Sequence, residues 1–336
     1  MISAAAFSAA APPTWQELSA RLFTNGPIVW QAPTDKLPKS FWIYQRKLPR
    51  IFSATVITNA VVLGSLQSRG FPRPSTNDFF IWEQEPPNWP GPIPALLNIQ
   101  PGDACLSFSM AHSGPISEKE SPNNNTLVES ALKHAVQLGL DPARLPPGKI
   151  YTRWCDDDQA AHQVCGRGIF FARRLDGVSF FSAADDGEGA EGFSMDFGEH
   201  GKIQAFSVRW SALVRYKNEP TASLNEITRC LRAHKTLVLP SPDEENYFAR
   251  LKNLANANKL TINKITPYYG EGVFGEVPTN DVPAQFATPF AELEAVADFG
   301  NSNTPVRLLV PIIVSEANRL LKLNGAASAG REAGLE

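Results

Sequence analysis

The chain has 336 residues, 43% of them hydrophobic, which is enough for about two domains with ordinary cores. Its 31 Lys and Arg residues and 34 Asp and Glu residues give a net charge of −3, so charge provides no attraction for a nucleic acid partner. The longest apolar run, 51–66, contains several polar residues and is too short for a bilayer crossing, so we expect no membrane-spanning segment.

Residues 1–13, MISAAAFSAAAPP, have the small, apolar character of the end of a signal peptide. A basic start and a full hydrophobic segment are missing, so the signal peptide would be incomplete in this sequence, and a simple Ala-rich tail is the alternative. We interpret 1–40 as an Ala- and Pro-rich leader and arm. The expected location is therefore extracytoplasmic, either periplasmic or secreted.

A segment rich in aromatic residues and proline, 71–94, follows a predicted helix within 51–68. A loop of this size is either packed against its domain or functional. In the first interpretation its aromatic side chains cover a sheet edge. In the second they line a groove for a protein or glycan partner, because Trp is enriched at binding hot spots. The binding residues predicted on this basis are Phe79, Trp82 and Trp89.

The middle of the chain, 166–233, predicts an antiparallel meander that ends in a helix. Apolar residues alternate over 193–197 and 203–210, and a shift of the alternation indicates a bulge near Ala205. An amphipathic helix then begins after Ser223, with Glu226 as its capping-box partner, and we expect it to cover Trp210. Tight turns are predicted at two dipeptides that tolerate positive φ, Asp176-Gly177 and His200-Gly201.

The same stretch resembles a known family through the motifs LDGV, GFSMDFGEHGKIQAFSVRW and TASLNEI. Together they are similar to the PepSY and YycI-like group of extracytoplasmic bacterial modules, mainly over 170–234 and more loosely over 260–314. The resemblance implies a non-enzymatic protein that binds or regulates partners in the cell envelope, and it supplies no catalytic residues. Ile227 and Thr228 depart from the family pattern, which has a small residue after the helix Glu.

Helix followed by sheet occurs twice, over 126–210 and over 222–314, where strands are predicted at 260–268, 286–299 and 304–314. We therefore predict an α+β fold of two related units, each an antiparallel sheet with a helix packed on one face. The predicted boundaries are listed in chain order: a leader and arm at 1–40, a first unit at 41–220, a second unit at 221–322 and a frayed tail at 323–336.

An acidic cluster lies in a predicted hairpin loop. Its carboxylates are suitable ligands for a hard cation such as calcium, although their spacing does not match an EF-hand. A solvated loop without a metal is the alternative, and no other cofactor is expected. The cluster consists of Asp185, Asp186, Glu188 and Glu191.

Cys155, His162 and Cys165 form the second candidate cluster. A structural zinc site needs four ligands, and this set provides three. A cysteine hydrolase would need an oriented Cys and His pair, and no family signature surrounds these residues. In an exported protein, Cys155 and Cys165 would instead form a disulfide, with Cys105 and Cys230 as buried free thiols.

Two functional hypotheses follow. The first is an exported, non-enzymatic binding or regulatory protein of the cell envelope, with a protein or glycan partner. The second is a metal-dependent or cysteine hydrolase that uses the acidic loops with His162 and Cys155. The sequence leaves the identity of the partner and the oligomeric state open.

Overall fold

The computed structural model describes most of the chain. Side chains are described for all of these residues except those of 73–74, 80–84 and 271. The described residues are 26–33, 37–47, 50, 52–66, 73–74, 80–84, 95–110, 116, 121–154, 163–182, 190–233, 235–239, 257–271 and 286–318.

Most described residues lie in strands. In chain order the strands are β1 (Ile28–Trp30), β2 (Ser40–Lys47), β3 (Arg73–Pro74), β4 (Phe80–Gln84), β5 (Ala95–Gln100), β6 (Cys105–Met110), β7 (Lys149–Trp154), β8 (Val164–Ala172), β9 (Arg174–Leu175), β10 (Val178–Phe180), β11 (Gly192–Phe197), β12 (Ile203–Arg209), β13 (Ala212–Pro220), β14 (Leu237–Leu239), β15 (Lys259–Glu271), β16 (Phe286–Asp298) and β17 (Asn303–Pro311). The longer helices are α1 (Ala54–Leu63), α2 (Asn124–Gln137) and α3 (Leu224–Arg232).

Eight strands form an antiparallel sheet in the order β3-β4-β5-β6-β12-β11-β8-β7. Residues on one face of this sheet pack with α1 and α2 into a buried hydrophobic cluster. Alternation of apolar and polar residues along the strands places every second side chain in this core. Its fully buried members include Leu97, Phe108, Phe206, Met195, Ile169, Phe171 and Phe193 from the sheet, and Ala60, Leu127, Ala131 and Ala135 from the helices.

Side-chain caps fix where α1 and α2 begin. The Ser53 side chain accepts a hydrogen bond from the Val56 backbone N–H, and the Asn123 side chain accepts one from that of Thr126. Each cap satisfies a backbone donor that the first helical turn leaves unpaired. The helix predicted within 51–68 is confirmed as α1, which is shorter than predicted.

The other sheet has nine strands and mixed pairing. Its main path is β13-β2-β16-β15-β10-β9, with β17 beside β16, β14 beside β17 and β1 beside β15. β1 and β10 pair with β15 in the parallel direction, whereas β16 and β17 form an antiparallel hairpin. The strands predicted at 260–268, 286–299 and 304–314 are confirmed as β15, β16 and β17.

Both predicted tight turns occur. Asp176 and Gly177, which have φ of 49° and 82°, connect β9 to β10. His200 and Gly201, with φ of 54° and 75°, lie in the 3₁₀ turn between β11 and β12. The register between β11 and β12 shifts so that Asp196 pairs with Ala205 and Phe197 with Ile203, and the intervening Gln204 is the bulge residue expected near Ala205.

The predicted capping box at α3 is also confirmed. The Ser223 hydroxyl accepts a hydrogen bond from the Glu226 backbone N–H, and the Glu226 carboxylate accepts one from the Ser223 backbone N–H. Ile227, Cys230 and Leu231 form the buried side of α3, as their helical spacing predicts. No helix in the part of the chain that the structure describes is long and apolar enough to cross a membrane.

The chain divides into two compact units, and each is discontinuous in sequence. One comprises Met1–Trp42, Asn218–Pro267 and Pro289–Glu336, and the other comprises Ile43–Lys217 and Tyr268–Thr288. The first contains α3 and the hairpin of β16 and β17. The second contains the eight-stranded sheet with α1 and α2.

The predicted fold class, α+β with two related helix-on-sheet units in tandem, is wrong. The protein is mostly β, with a mixed nine-stranded sheet and an antiparallel sheet. The prediction assumed that consecutive strands pair only with each other. Instead, β15 to β17 share their sheet with strands from the first two thirds of the chain, including β2 and β13.

Candidate functional site

A row of serines crosses the face of the eight-stranded sheet that lies opposite its helical core. Ser107 on β6 pairs with Ser207 on β12, and Ser207 pairs with Ser194 on β11. Directly opposed residues of antiparallel strands project from the same face, so the three hydroxyls follow one another across the sheet. We call this surface, which carries Ser107, Ser109, Ser194 and Ser207, the serine face.

Small side chains continue on both sides of the row. On one side Ser109 pairs with Ala205, and Ala205 pairs with Asp196. On the other side, Cys105 pairs with Arg209, and Arg209 pairs with Gly192. The three central strands therefore form a floor of mostly Ser, Ala, Gly and Cys. Larger residues border this floor: Leu96, Asn98 and Gln100 on β5, Phe170 on β8, and Lys149 and Tyr151 on β7.

Solvent reaches this floor. Ser109 is exposed, and Ser107, Ser194 and Ser207 are half-buried. The apolar residues that alternate with them, among them Phe108, Met195 and Phe206, are fully or almost fully buried in the core. The sheet thus has one sealed apolar face and one face that is accessible in part, on which Ser109 is exposed whereas Phe170 and Gly192 are buried.

Two aromatic rings lie over glycines at the border of the serine face. A Cβ added at Gly168 would lie 2.2 Å from Cζ of Tyr151, and one added at Gly192 would lie 2.5 Å from Cε2 of Phe170. Only glycine allows such close contact between ring and backbone. The Tyr151 hydroxyl donates a hydrogen bond to Asp196, and Nη1 of Arg153 lies 2.8 Å from Oδ2 of Asp196, so the ring is held in place.

A buried charged network lies where β11 begins and β12 ends. Glu191 is 1% exposed, and its carboxylate accepts hydrogen bonds from Arg46 at 3.2 Å and from Arg173 at 2.9 Å. The Ser211 backbone N–H and hydroxyl also donate to this carboxylate, and Nε of Arg46 donates to the Ser211 hydroxyl at 2.8 Å. These donors satisfy the buried carboxylate, and the two guanidinium groups balance its charge.

Arg173 and Arg50 meet at Trp210 beside this network. The Arg173 guanidinium lies 4.8 Å from the centre of the Trp210 indole, and Arg50 donates to the Trp210 carbonyl at 2.5 Å. Burial lowers the pKa of both arginines, and the charge of Arg173 lowers the pKa of Arg50 further. Trp210 is half-buried and packs against the hydrophobic cluster of the eight-stranded sheet, α1 and α2, so the prediction that it is buried is wrong.

Of the four predicted calcium ligands, the structure describes only Glu191. Glu191 belongs to the arginine network above. Asp185, Asp186 and Glu188 lie outside the described residues, and the calcium site stays a prediction. Within the described ranges, no group of three or more His, Cys, Asp or Glu side chains could hold a metal ion.

The cysteines fall into two classes. Cys165 is disulfide-bonded, whereas Cys105 and Cys230 are free thiols, as predicted for these two. Burial raises the pKa of the half-buried Cys105 thiol, and it raises the pKa of the fully buried Cys230 thiol to about 11. Cys155 and His162 lie outside the described residues, so the Cys155–Cys165 pairing and the hydrolase site both stay predictions.

The aromatic segment predicted as a binding surface is described only in part. Trp82 lies in β4, where its backbone pairs with Leu97 of β5. Phe79 and Trp89 lie outside the described residues. Their assignment as binding residues stays a prediction.

The sequence contains part of the signal for the serine face. In CLSFSM, GFSMDF and AFSVRW, serines occupy positions between the alternating apolar residues. The alternation identified the buried face of each strand, but it did not show that three strands would place their serines in one row. That information lies in the register, which one sequence does not contain.

Comparison with known proteins identifies a solved structure but no family. No known protein family matches the chain, and no curated protein sequence matches it. Among solved structures, the chain is similar to an uncharacterized protein from Eubacterium rectale ATCC 33656, with 12% sequence identity and a TM-score of 0.45. The similarity covers 86% of this chain and 87% of that chain.

Proposed function

We propose that this protein is an exported, non-enzymatic binding protein and that its ligand binds to the serine face. The observation that carries the proposal is the row Ser107, Ser207 and Ser194, accessible to solvent on a sheet whose opposite face is sealed by the core. Hydroxyls fixed on three strands of one sheet provide donors and acceptors at fixed positions. Such pre-organised polar groups favour binding because little conformational entropy is lost.

Two further features support the proposal. The disulfide at Cys165 supports export, since disulfides persist in oxidising compartments and are rare in the cytosol. The resemblance of 170–234 to PepSY and YycI-like modules supports a binding or regulatory role in the cell envelope. The buried network of Glu191 and its two arginines lies at the end of the strands that form the serine face and would keep that surface rigid.

Thiol protection tests the proposed surface. Ser207→Cys, made in a Cys105→Ser background, places a reactive thiol in the middle of the serine row. We expect a water-soluble maleimide to label it in the native protein. Labelling should slow when the protein is first incubated with a concentrated envelope or medium extract of the source organism. The matched control is Thr152→Cys, an exposed residue between Tyr151 and Arg153 that points away from the serine face.

The outcomes separate clearly. Protection of Ser207→Cys without protection of Thr152→Cys supports a ligand on the serine face. Labelling of Ser207→Cys only after urea denaturation would mean that the face is closed, and the proposal would then be abandoned. Equal labelling with and without extract would also count against it.

A further inference from the structure

We propose that Arg50 and Arg173 form a binding site for a small oxyanion, a phosphate or carboxylate group, beside the indole of Trp210. Arg50 precedes α1, Arg173 lies between β8 and β9, and Trp210 follows β12. All three residues belong to the same compact unit. Trp210 packs against the hydrophobic cluster on the other face of the eight-stranded sheet, so this site is separate from the serine face and does not depend on the function proposed above.

Arg50 is half-buried and pairs with no carboxylate among the described residues. Its guanidinium donates to the Trp210 carbonyl at 2.5 Å and lies 4.6 Å from the centre of the Phe52 ring. The Glu191 carboxylate also acts on the charge of Arg50, but it already pairs with two other arginines. Because a guanidinium group carries several N–H donors and a charge removed from water is normally paired, Arg50 is available to a further, anionic partner.

Arg173 has unused donors as well, although the residue is only 8% exposed. Its hydrogen bonds to Glu191 and to the Ser211 carbonyl both come from Nη1. Within the ranges that the structure describes, Nε and Nη2 of Arg173 have no hydrogen-bond partner. Unpaired donors on a buried guanidinium are unfavourable unless a bound molecule supplies the acceptors, so these atoms point to a ligand from outside the chain.

Like charges face each other at Trp210. Burial lowers the pKa of Arg50 and of Arg173 most, the Glu191 carboxylate raises both, and neighbouring guanidinium groups lower both. The charge that acts on Arg50 is that of Arg173, and Arg173 is also affected by Arg144, which pairs with Asp141 at 3.4 Å. An oxyanion bound to Arg50 and Arg173 would relieve their repulsion. The planar guanidinium group also matches two oxygens of a carboxylate or a phosphate.

Isothermal titration with sodium phosphate and with sodium acetate tests the site, while sodium chloride keeps the ionic strength constant. We expect at least one of these oxyanions to bind the parent protein, and the one that binds more tightly identifies the group that the natural ligand carries. Arg50→Gln should raise its Kd by at least about tenfold, because charged hydrogen bonds are lost. Arg174→Gln is the matched control: it removes the same charge from an exposed neighbouring side chain and should leave the Kd unchanged.

Arg50→Lys guards against misfolding, since it keeps the charge and the apolar stem of the side chain. Its ammonium group cannot replace the planar guanidinium, so this variant should bind the oxyanion more weakly than the parent and more tightly than Arg50→Gln. Thermal melting checks that each variant is folded. The proposed site would be overturned if neither oxyanion binds, if Arg50→Gln or Arg50→Lys binds as tightly as the parent, or if Arg174→Gln weakens binding as much as Arg50→Gln does. None of these results bears on the serine face, which the labelling of Ser207→Cys tests separately.

Discussion

Gly168 determines how the aromatic border of the serine face is built. A Cβ at this position would lie 2.2 Å from Cζ of Tyr151 and 2.3 Å from Oδ1 of Asp196. Both neighbours are constrained, because the tyrosine hydroxyl bonds to the same aspartate that pairs with Arg153. A methyl group at Gly168 therefore has to displace the ring, the carboxylate or both.

We expect Gly168→Ala to lower the free energy of unfolding by about 1–3 kcal/mol, the usual cost of overpacking a fitted site. Urea denaturation followed by circular dichroism measures this change. Gly102→Ala is the matched control, since a Cβ there would have no heavy atom within 4 Å. Equal stabilities of the two variants would show that the ring of Tyr151 moves aside without cost.

The sequence predicted single residues well where local geometry decides them. Asp176, Gly177, His200 and Gly201 were expected at positive φ, and Ser223 was expected as a helix cap, because these preferences act over a few neighbouring residues. The partners of Glu191 were not predictable. Arg46, Arg173 and Ser211 are 145, 18 and 20 residues from it along the chain, so only tertiary folding brings these groups together.

At the scale of elements, the Glu191 network joins a residue of one strand to residues in the connections between other strands. Arg46 lies on β2, Arg173 lies between β8 and β9, and Ser211 lies between β12 and β13. Their donors converge on one carboxylate that is 1% exposed. Removing the negative charge would leave two guanidinium groups buried without their counter-ion, which costs more than the ion pair itself contributes.

We therefore expect Glu191→Gln to lower the free energy of unfolding by about 3–5 kcal/mol. Chemical denaturation at neutral pH measures this loss. Glu199→Gln provides the comparison: the Glu199 carboxylate is half exposed and lies 3.5 Å from His200, so the effect of this substitution should stay within about 0.5 kcal/mol. A loss below about 1 kcal/mol for Glu191→Gln would mean that the buried arginines find other partners or water.

Elements were predictable to the extent that their periodicity is local. β11, β12 and β15 to β17 and the helices α1 to α3 follow alternating or helical patterns, and each was expected near its observed position. The face that became the candidate site was not expected, because it depends on which strands are neighbours. β6 and β12 are about 100 residues apart in sequence, yet their pairing puts Ser107 beside Ser207.

For the whole molecule, the tandem arrangement failed for the same reason. The predicted second unit assumed that 221–322 folds by itself, whereas its strands belong to a nine-stranded sheet that also contains β2, β9, β10 and β13. Pairing between distant strands is set by the match of entire surfaces, and the alternation of apolar residues within one strand carries no information about its partner. Strand positions were therefore easier to predict than their assembly.

If the protein is exported as proposed, the redox state of its four cysteines can be predicted. Protein purified from its natural source and denatured without reductant should show two alkylated thiols, Cys105 and Cys230, because Cys165 is disulfide-bonded and Cys155 is its predicted partner. In the native protein at neutral pH, Cys230 should react slowly. It is fully buried, and its pKa of about 11 leaves very little thiolate.

Mass spectrometry of alkylated peptides measures both quantities, and a reduced, denatured sample with four labelled cysteines is the control. Four labelled cysteines in the unreduced sample would contradict export into an oxidising compartment, because a disulfide formed there would have survived purification. Two labelled cysteines at other positions would contradict the assignment of the free thiols. Labelling of Cys230 in the native protein as fast as in urea would contradict its burial on the inner side of α3.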